Sequence, residues 1–175
     1  MKTSARLMTE FLPTAPDEAW LWFACDSNYD GNVQLIRWMI EQPRCPEAAT
    51  LAIFWYSGAG YYGQYKRRED VPSFELDTYD RLQKIQGLYL SGFYKKSAVG
   101  FNPKNDPTPI GSLTAPGLDW TTEYEGGVHV PQEMKSAVPG SLHGAMNMPE
   151  GWAEGMPPEI AEIVFDEDFE EDEKD

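Results

Sequence analysis

The chain has 175 residues, of which 41% are hydrophobic and 25% charged, and its net charge is −15. That length fits one domain able to bury roughly 70% of its unfolded surface. The negative balance excludes the electrostatic footprint of a nucleic-acid binder or of a protein held on an anionic membrane.

The charge is uneven. Residues 1–63 carry 4 Lys/Arg against 7 Asp/Glu, net −3. Residues 64–104 carry 8 against 5, net +3, and residues 105–175 carry 2 against 17, net −15. The acidity is almost wholly C-terminal, a balance that steers a basic partner towards the chain. Cys25 and Cys45 sit in or beside apolar helical stretches, as two small reduced core residues would. The first twenty residues hold no apolar run of signal-peptide length, and the expected compartment is the cytoplasm.

Residues 1–13 show no clear pattern. Thr14 is placed to cap a helix over Pro16–Ser27, with Asp17 and Glu18 in its first turn. The body of that helix, AWLWFAC, is apolar on nearly every side. Asp26 to Asn32 forms a turn, with Gly31 expected at positive φ and Asn32 as the cap of the next helix. That helix, Val33–Gln42, gathers Val33, Leu35, Ile36, Met39 and Ile40 on one face, with Gln34, Arg37 and Glu41 opposite. Pro43 ends it.

Pro46 opens the stretch that organises the rest. PEAATLAIFWYS, residues 46–57, is apolar all round as a helix and belongs in the middle of the domain. It is too short to span a bilayer, which needs about 20 residues. Gly58 ends it. Gly58 to Asp70 is an aromatic and then basic loop. A fourth helix over Ser73–Tyr94 presents Phe74, Leu76, Tyr79, Leu82, Ile85, Tyr89, Leu90 and Phe93 on a wide apolar face. Asp77 with Arg81, and Asp80 with Lys84, are spaced as exposed pairs on its other face.

From Ser97 to Pro158 the composition changes, with 9 Gly and 9 Pro in 62 residues. The stretch still holds Leu118, Trp120, Tyr124, Val128, Val130, Leu142, Met146, Met148 and Trp152, more than a disordered linker carries. It reads as a long irregular wrap laid over the helices, with a β-hairpin over Trp120–Val130 turning at Gly126-Gly127. Pro157–Phe165 reads as a short last helix. Asp166–Asp175, with eight acids and one lysine, reads as a solvated tail.

Few residues combine into chemistry. Asp26, Asn28, Asp30 and Gly31 match the first half of an EF-hand loop. The twelfth position, which must be a bidentate acid, is Arg37. Cys25 lies on an apolar helix, where a thiol is protonated and inert. His129 and His143 lack zinc spacing. Lys66-Arg67-Arg68 beside Tyr61, Tyr62 and Tyr65 is a small patch in an acidic chain, and its cations are expected to neutralise nearby acids. No phosphate loop, nucleophile elbow or spaced carboxylate pair is present.

One resemblance stands out. Asn28-Tyr29-Asp30-Gly31, an apolar helix, then Pro43, Cys45, Ala49-Thr50-Leu51, and Ile53-Phe54-Trp55 resemble the domain of unknown function DUF4274. Gly92-Phe93-Tyr94 and Phe101-Asn102-Pro103 are similar to the end of that family. The resemblance covers about residues 18–103, and residues 104–175 have no counterpart. It implies a small bacterial cytosolic binding protein, from loci that also hold secreted toxins and immunity proteins. It implies no catalytic residue.

The expected fold is mainly α, a four-helix core over residues 14–103, wrapped by 104–165 and ending in the tail 166–175. The expected function is a non-enzymatic immunity protein, without cofactor or metal, that binds a cognate and basic protein toxin. The partner-binding residues expected are Glu123, Glu125, Glu150, Trp152, Glu154, Asp166, Glu167, Asp168, Glu170 and Glu171. The chain is expected to be a monomer or small homo-oligomer. The alternatives are an adaptor or chaperone for a secreted effector, and a small metal-dependent enzyme using the Asp26–Asn32 turn or the histidines.

Overall fold

The computed structural model describes residues 2–108, 117–143 and 145–164, with the backbone alone at 142 and 143. The fold is mainly helical. In chain order come α1 (Thr3–Phe11), α2 (Asp17–Asp26), α3 (Val33–Met39), α4 (Glu47–Tyr56), the single turn α5 (Ala59–Tyr62) and α6 (Leu76–Leu90). A last helix, α7, covers residues 158–164. Two-residue strands β1 (Val99–Gly100) and β2 (Leu142–His143) pair in parallel, Val99 opposite Leu142.

The apolar stretch over residues 46–57 becomes α4, and Ala48 to Trp55 are all buried. A helix without a polar face is stable only when other elements cover it on every side. Helix α2, itself buried from Ala19 to Cys25, and α6 lie against it. Gly58 ends α4 at φ 84°, in the left-handed region where a side chain is strained. Helix α3 buries Leu35, Ile36 and Met39 and exposes Gln34 and Arg37, the division its periodicity predicts.

The core is larger than four helices. Residues 3–11, read in the sequence as patternless, form α1, which buries Ala5 and Met8. The loop that follows it buries Leu12, whose carbonyl accepts the indole N–H of Trp20 at 2.9 Å. The late segment also enters the core, with Val99, Phe101, Val130, Met134, Val138, Met156, Ile160, Ala161 and Val164. Indole N–H groups staple it on. Trp55 donates to the Met134 carbonyl at 2.8 Å and Trp22 to that of Met146 at 3.0 Å. Each such bond contributes about 1 kcal/mol, and each would cost more if its buried donor were left alone.

Several local expectations fail for identifiable reasons. The hairpin over residues 120–130 does not form. Its backbone bonds the α5 region instead, Tyr124 N–H to Gly60 O at 3.2 Å and Val128 N–H to Gly63 O at 2.7 Å. That approach requires glycine, because a Cβ at Gly60 would lie 2.0 Å from the Thr122 carbonyl oxygen. Thr14 does not cap α2; its hydroxyl donates back to the Phe11 carbonyl, and Pro16 holds the N-cap position. Gly31 is not at positive φ. Helix α6 is shorter than predicted, and Phe74 stands 83% exposed ahead of it.

Asp106 anchors the start of the wrap. It is fully buried. Its Oδ1 accepts the Thr108 N–H at 2.9 Å, and its Oδ2 accepts Trp120 Nε1–H at 2.8 Å and the Tyr56 hydroxyl. Trp120 in turn packs on the Tyr56 ring, 4.7 Å between centroids. The central helix and the wrap are thus tied through one carboxylate.

Candidate functional site

The expected partner-binding residues separate into two groups. Glu123 is committed internally. It pairs with Lys135 at 2.7 Å and His129 at 3.0 Å, and accepts the Val130 N–H at 2.6 Å. Burial raises its carboxyl, but Lys135, the Val130 N–H and His129 together hold it below the ordinary glutamate value. Trp152 is also internal, edge-on to Trp22 at 5.2 Å and to Phe11 at 6.0 Å. Glu154, at φ 51°, accepts Asn32 Nδ2–H at 3.1 Å. These three are holding residues of the fold. Glu125 and Glu150 lie exposed, as the charge argument requires of a contact. Asp166, Glu167, Asp168, Glu170 and Glu171 lie outside the described residues.

The Asp26–Asn32 turn spends its side chains on the fold. Asp26 accepts the Gly155 N–H at 3.0 Å, and burial lifts its carboxyl above the ordinary value. Asn28 Oδ1 accepts the N–H groups of Asp30 and Gly31, both at 3.2 Å. Asn32 caps α3 by position only, its amide donating to Ser27 and Glu154. Among the described residues no group of three His, Cys, Asp or Glu is arranged to hold a metal. Cys25 and Cys45 are buried and unbridged, and burial pushes both thiols far up. The basic loop pairs with acids on and beside α6, Arg67 with Asp70 at 2.8 Å and Arg68 with Asp80 at 2.7 Å.

The most developed site is one that the sequence does not announce. A cleft of about 470 Å³ opens between the α2–α3 turn, the end of α4, α5 and the first turns of α6. Tyr29, Tyr56, Tyr62 and Val33 supply its apolar walls, and Asp30, Ser57, Asp77, Thr78 and Arg81 its polar groups. Arg81 was expected on the exposed face of α6; it is 9% exposed instead. Its Nη2 donates to Thr78 Oγ1 at 3.3 Å, and its Nη1 lies 3.7 Å from Asp77 Oδ2, beyond hydrogen-bonding distance. Among the described residues Nε and Nη1 have no hydrogen-bond partner, and neither has the buried Ser57 hydroxyl.

Asp77 turns mainly to another cation. It bonds Arg37 of α3, so Arg81 is left with the weaker share of that carboxylate. Asp80 and Lys84 do not pair with each other as their spacing suggests. Asp80 goes to Arg68, and Lys84 to Glu41 just after α3. Desolvation lowers the pKa of Arg81 from its usual value, and Asp77 offsets this in part. The tyrosine hydroxyls beside it are stabilised neutral, Tyr29 and Tyr56 both far above the ordinary phenol value through burial.

Every residue lining this cleft falls between positions 29 and 81. Residues 15–90 match the family described as a domain of unknown function, DUF4274. That stretch is a DUF4274 domain. The match ends at residue 90, before Gly92–Tyr94 and Phe101–Pro103, so the resemblance expected there lies outside the matched segment. The whole cleft therefore belongs to the DUF4274 domain, whereas Glu125 and Glu150 lie outside it. No curated protein and no solved structure matches the chain. No helix among the described residues is long and apolar enough to cross a membrane.

The signal that would find the cleft in the sequence is small. Arg81 follows Asp77 by four positions, a common surface pairing. Ranking it as a site residue requires knowing that α6 turns this face inward.

Proposed function

We propose that the protein is a non-enzymatic binding protein, an immunity protein that captures and neutralises a cognate basic toxin. The observation that carries this reading is where the negative charge is left uncompensated. The cations of the helical part are largely absorbed internally: Arg37, Arg67, Arg68, Lys84, Lys95 and Lys96 each hold an acid. In the acidic C-terminal third, Glu125, Glu150, Glu159 and Glu162 are exposed, and among the described residues none is in an ion pair. Such acids accelerate encounter with a cationic surface and favour it over neutral partners.

The test is co-purification of the tagged chain with the products of neighbouring genes, followed by growth rescue of cells expressing the toxic one. A stable one-to-one complex with restored growth supports immunity. Neutralising Glu125, Glu150, Glu159 and Glu162 together to Gln should then slow association roughly tenfold at low salt and leave dissociation nearly unchanged. Absence of both binding and rescue overturns the reading. Binding without rescue identifies an adaptor instead.

A further inference from the structure

The geometry points to the Arg81 cleft as a binding site for a small monocarboxylate with an apolar or aromatic body. Three observations converge there. The first is a guanidinium nine-tenths buried with two nitrogens that have no hydrogen-bond partner among the described residues. Leaving buried donors unsatisfied is costly, and most native structures avoid it. A charged group in that state is held ready for an acceptor that arrives from outside. The second is the Ser57 hydroxyl, also buried and without a partner among the described residues, carried by a residue that lines the same cleft. The third is shape. The cleft falls in the volume range of small-ligand sites, and Tyr29, Tyr56 and Tyr62 give it the aromatic lining such sites use.

The ligand class follows from the charges. The unpartnered groups are donors, so the ligand must present acceptors. A carboxylate matches the guanidinium fork and accepts from a hydroxyl as well. Asp30 and Asp77 also face the cleft. Asp77 is already neutralised by Arg37, but Asp30 is in no ion pair among the described residues. A dianion would meet that carboxylate, so a single negative charge fits better than a phosphate. This inference does not rest on the immunity reading, since Glu125, Glu150, Glu159 and Glu162 lie elsewhere in the chain.

The experiment is ligand-observed and protein-observed NMR on the full chain, with phenylacetate, phenethylamine and inorganic phosphate as probes at millimolar concentration. Phenylacetate should bind with shifts confined to the cleft, including the Arg81 Nε–H resonance. Phenethylamine and phosphate should not bind. Ser57→Ala should weaken phenylacetate several-fold without loss of thermal stability, because that hydroxyl has no partner to lose among the described residues. Arg81→Met should keep the fold, since an apolar side chain of similar length replaces a poorly satisfied buried ion. It should weaken phenylacetate by roughly 10- to 100-fold. If Arg81→Met fails to fold, Ser57→Ala still decides the matter. No binding of phenylacetate, binding unaffected by Ser57→Ala, or phosphate bound as well as phenylacetate overturns the proposal.

Discussion

Replacing Asp106 by Ala should loosen the C-terminal wrap from the helical core. The side chain accepts three hydrogen bonds, from Thr108 N–H, Trp120 Nε1–H and the Tyr56 hydroxyl. Its removal strands the main-chain N–H of the buried Thr108 and two aromatic donors that are partly buried. A buried donor left alone costs about 1–3 kcal/mol, with the lower end applying to Tyr56 and Trp120, which water can reach more easily. The loss expected is therefore about 3–5 kcal/mol, a large part of the roughly 5–15 kcal/mol that holds a domain together. Asp106→Asn should lose less, about 2 kcal/mol, because one carbonyl acceptor remains. The measurement is the denaturant midpoint by far-ultraviolet circular dichroism, with limited proteolysis to locate the released segment. New cleavage between residues 107 and 140, ahead of global unfolding, is expected. A double-mutant cycle with Tyr56→Phe should give a coupling of about 1 kcal/mol or more, since the two side chains are in direct contact. An Asp106→Ala loss below about 1 kcal/mol, or additivity in the cycle, would refute the reasoning.

Two further predictions concern the way the late segment is held. Glu123 has a folded-state pKa below its ordinary value. Its contribution to stability is thus fully present above the unfolded value of about 4.5 and is lost as the pH falls through the lower folded value. Glu123→Gln should flatten this acid limb of the stability profile, measured by thermal melts from neutral pH to pH 3, and an unchanged limb would exclude the Lys135–His129 clamp as its source. At Gly155 the backbone has φ 71°, and a Cβ would lie 2.3 Å from the Phe23 Cα. Gly155→Ala should cost about 3 kcal/mol or more, because neither the positive φ nor the neighbouring backbone can yield cheaply. A melting temperature within 2 °C or so of the parent would argue against that close approach.

The central helix α4, the apolar α2 and the amphipathic α3 are all legible in the sequence. Each rests on local information: an apolar run with no polar face, a 3.6-residue period, a proline before and a glycine after. The family of residues 15–90 was legible for the same reason, since its signature sits on those helices. Helix α1 was missed although Ala5 and Met8, with Leu12 just after it, recur at helical spacing and are buried; nine residues are too few to hold a helix without packing. Its stability comes from what it lies against rather than from its own pattern.

What only the tertiary structure decided is where side chains go when two local choices are equally good. Asp80 and Lys84 have helix-pair spacing, yet each finds a partner on another element, because a charge pairs with the nearest opposite charge in space. Glu123, Trp152 and Glu154 are acidic or aromatic residues in a loop-rich stretch, which looks like contact surface. The fold uses them as clamps. The 120–130 segment carries hairpin signals, but Gly60 and Gly63 offer its backbone carbonyls from α5, and those bonds win. Arg81 is the clearest case. By sequence it is one member of a surface pair four residues apart. The packing of α6 on α4 buries it in an aromatic cleft while Arg37 of α3 takes most of its acid away, and that arrangement turns an ordinary helix residue into the best candidate site among the described residues.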